Sequence, residues 1–253
     1  LWVKFMEFYF TKGNIQKAKE TAEEALERLP IGDIDEKKNV WLAYIQLLVR
    51  TTDQSSFLDE VKPIIQRAAN QIDKESIWLF FGQFATSTRP ELLVDVWEMV
   101  VDQVKGSPKV WEGYFSALFG AKKDEDARKL LKRASDSLGS HSEKLKIEIL
   151  RMFAVLEFKN GFLEHGRTRF EQLLQTHPNR FDIWNVYADQ EIKYGDVDHA
   201  RTLFERIASS SLNDHQMRSI LKKWFDFETK AGDNPQMKKR IREIAQSYLA
   251  KQK

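Results

Sequence analysis

Residues 183–207 read IWNVYADQEIKYGDVDHARTLFERI, and this stretch decides the fold. Trp184, Tyr187 and Glu191 stand three and then four residues apart, which places them on one side of a helix. Tyr194-Gly195-Asp196 is a turn signal, with a glycine able to close the helix in the left-handed conformation. Ala200, Leu203, Phe204 and Ile207 then resume helical spacing, so a second amphipathic helix follows. A small residue at its start lets the two helices approach closely. Such a pair cannot bury its apolar face alone and has to stack on neighbours.

Working outward, the same aromatic pair recurs. Trp2, Trp41, Trp78 and Trp111 are each followed at +3 by Phe5, Tyr44, Phe81 and Tyr114. Between Trp111 and Trp184 the interval doubles, and Leu150 with Phe153 at +3 fills the empty slot. Past Trp184, Leu221, Trp224 and Glu228 match Trp184, Tyr187 and Glu191. The slots at 2, 41, 78, 111, 150, 184 and 221 define seven repeats. The strict +3 spacing marks these aromatics as the buried face between helices rather than as stacking platforms, and Trp97, at the Phe204-equivalent position, belongs to the core too. Further turn signals are Lys12-Gly13-Asn14, Lys159-Asn160-Gly161 and Ala231-Gly232-Asp233. Pro30, Pro108 and Pro178 lie between repeats, where a helix has to stop. Pro63 falls inside a second helix, so a kink or a late helix start is expected there. No stretch alternates as a strand would. The expectation is an all-α solenoid of about seven antiparallel helix pairs, forming one domain over residues 1–253.

Composition narrows the function classes. The 253 residues contain no cysteine, which removes disulfides, thiolate metal sites and cysteine nucleophiles and fits a reducing compartment. No apolar run is long enough to span a membrane, and the first ten residues do not read as a signal peptide. The chain opens without an initiator Met and already in a helical pattern, so it reads as a fragment of a longer protein. Net charge is +2, but residues 1–126 hold 16 Lys+Arg against 21 Asp+Glu, and residues 127–253 hold 24 against 17. The halves therefore carry −5 and +7, which points to different partners at the two ends.

What recurs is Trp-x-x-aromatic with an acidic residue at +7, followed by Ala-Arg-x-Leu-Phe-Glu-Arg. Leu-Gly after the Trp, the mark of a simple TPR, is absent. The pattern resembles the half-a-TPR (HAT) repeat, complete in the sixth repeat, whereas repeats one to four carry Tyr9, Leu48, Ala85 and Leu118 at +7. Four stretches, in order, are more specific: Asn39 to Ala43, Phe153 to Phe158, Arg180 to Tyr187 and Leu221 to Glu228. They resemble the C-terminal repeats of the ribosomal RNA-processing protein five family, large nucleolar factors with many S1 RNA-binding domains ahead of a helical arm. The resemblance implies a right-handed TPR-like superhelix in a non-catalytic scaffold. It also implies S1 domains upstream, contacts with ribosome-assembly proteins and pre-rRNA, and a nucleolar location. A HAT scaffold of a pre-mRNA splicing or 3′-end cleavage complex is the alternative.

No catalytic constellation emerges. The five histidines, His141, His165, His177, His199 and His215, include no pair at i, i+3 or i+4, and phosphate-loop, dinucleotide, hydrolase-elbow and zincin motifs are missing. No cofactor, metal or small-molecule substrate is expected. His199 reads as a solvent-facing helix residue, and Asp124-Glu125-Asp126 as charge at a helix N-terminus. The candidates for partner or RNA contact are basic: Lys222, Lys223, Lys238, Lys239, Arg240 and Arg242, with a second group at Lys122, Lys123, Arg128, Lys129, Lys132 and Arg133. Lys238 and Arg242 share a helix face and could meet a phosphate backbone, or the last cluster could be the polar cap that a terminal repeat needs.

Overall fold

The computed structural model describes residues 1–30, 32–139, 142–210, 212–231 and 234–251. His141 and the Gly232-Asp233 turn lie outside the described residues. Among these there are fourteen α-helices, one 3₁₀ turn at Pro90–Leu92 and no strand. The chain divides into two compact units, Leu1–Leu145 and Lys146–Lys253.

The first unit holds α1 (Trp2–Thr11), α2 (Ile15–Arg28), α3 (Ile34–Thr51), α4 (Phe57–Gln71), α5 (Lys74–Thr88), α6 (Leu93–Gln103), α7 (Pro108–Gly120) and α8 (Asp124–Gly139). All but the first residues of α9 (Glu143–Lys159) belong to the second, with α10 (Leu163–Thr176), α11 (Phe181–Tyr194), α12 (Val197–Ala208), α13 (Asp214–Lys230) and α14 (Pro235–Lys251). Within each unit the packing is local. Helix α3, for example, touches α1, α2, α4 and α5, and α13 touches α11, α12 and α14. Trp2, Trp41, Trp78, Trp111, Leu150, Trp184 and Leu221 fall in α1, α3, α5, α7, α9, α11 and α13, the first helix of each pair.

Local chemistry explains the helix starts. Asn14, Asp33, Asp73, Ser107, Asp196 and Asn213 each accept a hydrogen bond from the backbone N–H three residues on, and Asn213 with Gln216 completes a capping box. Asp124, Glu125 and Asp126 form the first turn of α8. Pro108 opens α7, where its missing N–H has no partner to lose. Pro63 sits within α4, which starts at Phe57, so no late start occurs.

The turns differ from expectation at one glycine. Gly13 and Gly161 do take positive φ, 76° and 85°, and in the fourth repeat Lys122 adopts φ 60° without glycine. Gly195 does not; its φ is −85°. Its smallness serves another need, because a Cβ there would run into the Glu191 carboxylate. Small residues also set the spacing within pairs. Ala18, Ala127 and Ala200 are buried, and a Cβ on Gly166 would meet the Phe158 ring.

Tryptophans 41, 78, 97, 111 and 224 are almost wholly buried. The Trp111 indole N–H donates to the Lys105 carbonyl at 3.3 Å and that of Trp184 to the Pro178 carbonyl at 2.8 Å, tying each slot to the turn before its helix. The Trp97 ring lies against Gly82 and Gly113, and stacks on Tyr114 at 5.9 Å. In the second unit Phe170 stacks on Tyr187 at 4.7 Å and Phe204 on Trp224 at 5.6 Å. Two slots deviate from full burial. Phe5 is 46% exposed and Trp2 half-buried; among the described residues α1 packs chiefly on α2 and α3. Leu150 is half-buried against the core, while its neighbour Ile149 is fully buried.

Candidate partner-binding interface

The acidic residues at +7 are interior groups. Glu157, Glu191 and Glu228 are at most 2% exposed. A carboxylate at such depth is costly unless a hydrogen-bonded cation meets it. Arg167 on α10 supplies two parallel bonds to Glu191, Nε to Oε1 at 2.7 Å and Nη2 to Oε2 at 2.8 Å, and also donates to Glu164 and Asp196. Arg201 on α12 holds Glu228 the same way, at 2.9 and 2.8 Å, and the Trp224 indole N–H adds a bond at 3.3 Å. Glu157 is met by Arg169 of its own repeat at 2.8 Å. Glu191, first, and the other carboxylates hold the Arg167 guanidinium above its ordinary range. The Asp196 carboxyl is held down at about 2, first by the His199 backbone N–H and then by Arg167 and the His199 ring. His199 is thus exposed and also bonded, Nδ1 to Asp196 at 2.7 Å.

A second arrangement recurs where the slot aromatic is followed by tyrosine. Arg67 lies 5.4 Å over the Trp41 ring and forks onto Glu23 of the previous pair at 3.0 and 2.9 Å, and the Tyr44 hydroxyl donates to the same carboxylate at 3.1 Å. Arg133 repeats this with Trp111, Glu98 and Tyr114, the ring at 5.7 Å and the hydroxyl bond at 3.1 Å. Arg206 lies 5.2 Å over Trp184 and forks onto Glu171. Burial first, then the neighbouring Glu23, pushes the Tyr44 hydroxyl up to about 12. Burial likewise raises Tyr114 and Tyr187. Phe81 of the third repeat has no hydroxyl to satisfy, and Gln66 of α4 donates to Gln103 of α6 at 3.3 Å.

The basic candidates do not form one patch. Lys239 and Arg240 line a shallow depression on α14; Lys239 pairs with Glu243 one turn on at 3.9 Å and Arg240 with Glu205 of α12 at 3.2 Å. Lys238 and Arg242 sit over the Phe225 ring at 5.0 and 5.6 Å. Lys223 is tied to Asn185 and Asp189 of α11 at 2.6 and 2.7 Å. With Lys222 it lines a different groove, about 590 Å³, that runs between α11, the start of α12 and α13. In the other group Arg128 pairs with Glu125, Lys129 with Asp126 and Arg133 with Glu98. Divided at the boundary between the units, the charge is −2 and +4, a smaller contrast than the halves suggested. Many cations of the second unit are consumed in holding helices together. Reading the sequence missed Ile192, Val197 and Lys230 on the groove beside Lys222, for their apolar and basic character becomes a surface only once α11 lies beside α13. Among the described residues no three His, Asp or Glu side chains gather as metal ligands, and no helix is long and apolar enough to cross a membrane.

Stacked helix pairs, an aromatic slot in each first helix and buried Glu–Arg locks between pairs define a helical repeat protein of the half-a-TPR class. The chain belongs to the Suppressor of forked (Suf) family, which matches residues 1–253. It is 32% identical over 253 residues to rRNA biogenesis protein rrp5 of Schizosaccharomyces pombe, covering 98% of this chain and 15% of that one. It is 32% identical over 255 residues to rRNA biogenesis protein RRP5 of Arabidopsis thaliana, covering 99% and 13%. The human Protein RRP5 homolog is 29% identical over 229 residues, covering 90% and 12%. The chain thus spans less than a sixth of the length of these relatives.

Proposed function

We propose that the chain is a non-catalytic scaffold arm in ribosome biogenesis, binding ribosome-assembly proteins and pre-rRNA in the nucleolus during pre-rRNA processing and small-subunit assembly. The observation that supports this most is the reach of the match: similarity to rRNA biogenesis proteins runs along nearly all of the repeat array. The structure adds a physical reason for a scaffold role. Its interior charges are engaged in fixing one helix pair on the next, so the surfaces between pairs are held rigid for partners. The RNA-facing residues in this reading are Lys238, Lys239, Arg240 and Arg242 on α14.

Purification of the intact protein from growing cells tests the assignment. Precursor rRNA and ribosome-assembly proteins should accompany it; splicing or mRNA 3′-end cleavage components in their place would transfer the scaffold to those machines. Direct RNA contact is tested with the 253-residue chain and a single-stranded RNA. Lys238→Glu, Lys239→Glu and Arg240→Glu together should weaken binding and flatten its dependence on salt. Unchanged affinity removes RNA from the reading while leaving the protein partners.

A further inference from the structure

We infer that the groove between α11, the start of α12 and α13 is a docking site for an acidic amphipathic helix of a partner protein. This rests on the scaffold reading and names the partner's chemistry. Its floor is apolar and open: Ile192 and Val197 are each 38% exposed, and Phe227 closes the bottom. Large apolar residues exposed singly are ordinary; here two share one concave surface beside unpaired charge, which gives a partner both an apolar floor to cover and a charged rim to meet. The rim is set by α13, where Lys222, Asp226 and Lys230 follow at intervals of four and so share one side of the helix. Neither Lys222 nor Lys230 has an ion-pair partner among the described residues, whereas Lys223 is occupied by Asp189.

This charge pattern selects the partner. The two lysines stand about 12 Å apart along the helix axis, with Asp226 between them. A helix that presents acidic residues at two points and an apolar stripe in between can pair with both lysines, avoid Asp226 and cover Ile192 and Val197. A nucleic-acid strand, with a charge on every nucleotide, would set phosphate against Asp226, and its bases would find Ile192 and Val197 exposed on the floor rather than an aromatic ring to stack on. The volume, about 590 Å³, admits only a few side chains, so the contact is short.

The test is a displayed library of helical peptides with one fixed Leu-rich face and randomised flanks, selected on the 253-residue chain. The selected flanks should be acidic, and labelled winners should bind by fluorescence anisotropy. Ile192→Asp with Val197→Asp should weaken them at least about tenfold. Lys222→Glu with Lys230→Glu should reject the acidic winners and accept the same peptides with lysine flanks. That gain cannot arise from a misfolded variant, and circular dichroism checks the fold of each. Basic or charge-free winners, no enrichment, unchanged affinity in the Ile192/Val197 variant, or competition by single-stranded RNA that the same substitutions abolish would each overturn the inference. Such a failure would leave co-purification with precursor rRNA untouched, so it condemns the groove and not the scaffold.

Discussion

A carboxylate in an apolar interior is only as stable as the cation held to it, which makes Glu191 and Arg167 the most sensitive pair in the second unit. Arg167→Met strands Glu191, and the loss should be about 3–5 kcal/mol because an uncompensated buried charge is left behind. Glu191→Leu alone should cost less, for Arg167 keeps Glu164 and Asp196. The double variant should recover much of the loss, since replacing both partners by apolar groups avoids the desolvation cost. Urea unfolding of the four proteins gives the coupling directly; a cost below about 1 kcal/mol for Arg167→Met would mean the pair is a bystander. Gly195→Ala offers a steric counterpart. Its methyl would displace the Glu191 carboxylate and press on the Glu191 carbonyl oxygen, so only the carboxylate's part of the loss should disappear in the Glu191→Leu background.

Between neighbouring pairs, the recurring element is the tyrosine three residues after the slot aromatic, beside an arginine over the slot ring that pairs with a glutamate of the preceding pair; Tyr44 and Tyr114 also donate to that glutamate. Each such hydroxyl is held protonated above its ordinary range, Tyr44 at about 12. The unfolded chain ionises these tyrosines near pH 10. A folded pKa above the unfolded one contributes stability that is fully present below pH 10 and lost as pH rises towards 12. Melting temperature should therefore fall over that window, and Tyr44→Phe should reduce the slope of the fall; an unaltered slope would show that Tyr44 does not couple to folding. The existence of these helices was legible in the sequence because apolar spacing is local. The locks were only half legible. Tyr against Phe at +3, and Glu at +7, stood in plain view, but which arginine meets each carboxylate is set by packing: Glu191 and Glu228 take Arg167 and Arg201 of the repeat before, and Glu157 is also met by Arg169 of its own repeat. The basic residues misled for the same reason, since Lys223 and Arg240 look free in the sequence and are paired across helices.

At the scale of the whole molecule, the described helices of each unit pack on near neighbours along the chain, so stability should be a sum of pair energies and interface energies rather than one cooperative core. The consequence is measurable. Trp224 is fully buried, stacks on Phe204 and bonds Glu228, so Trp224→Ala should cost about 3–5 kcal/mol. In a repeat array that loss stays local. Amide exchange should accelerate in α11 to α14 and remain as in the parent chain in α1 to α4. A uniform loss of protection along all fourteen helices would instead show that the chain unfolds as a single two-state body. The distinction bears on how a scaffold works, because a chain that opens locally can release a partner at one groove while its other helix pairs stay folded around theirs.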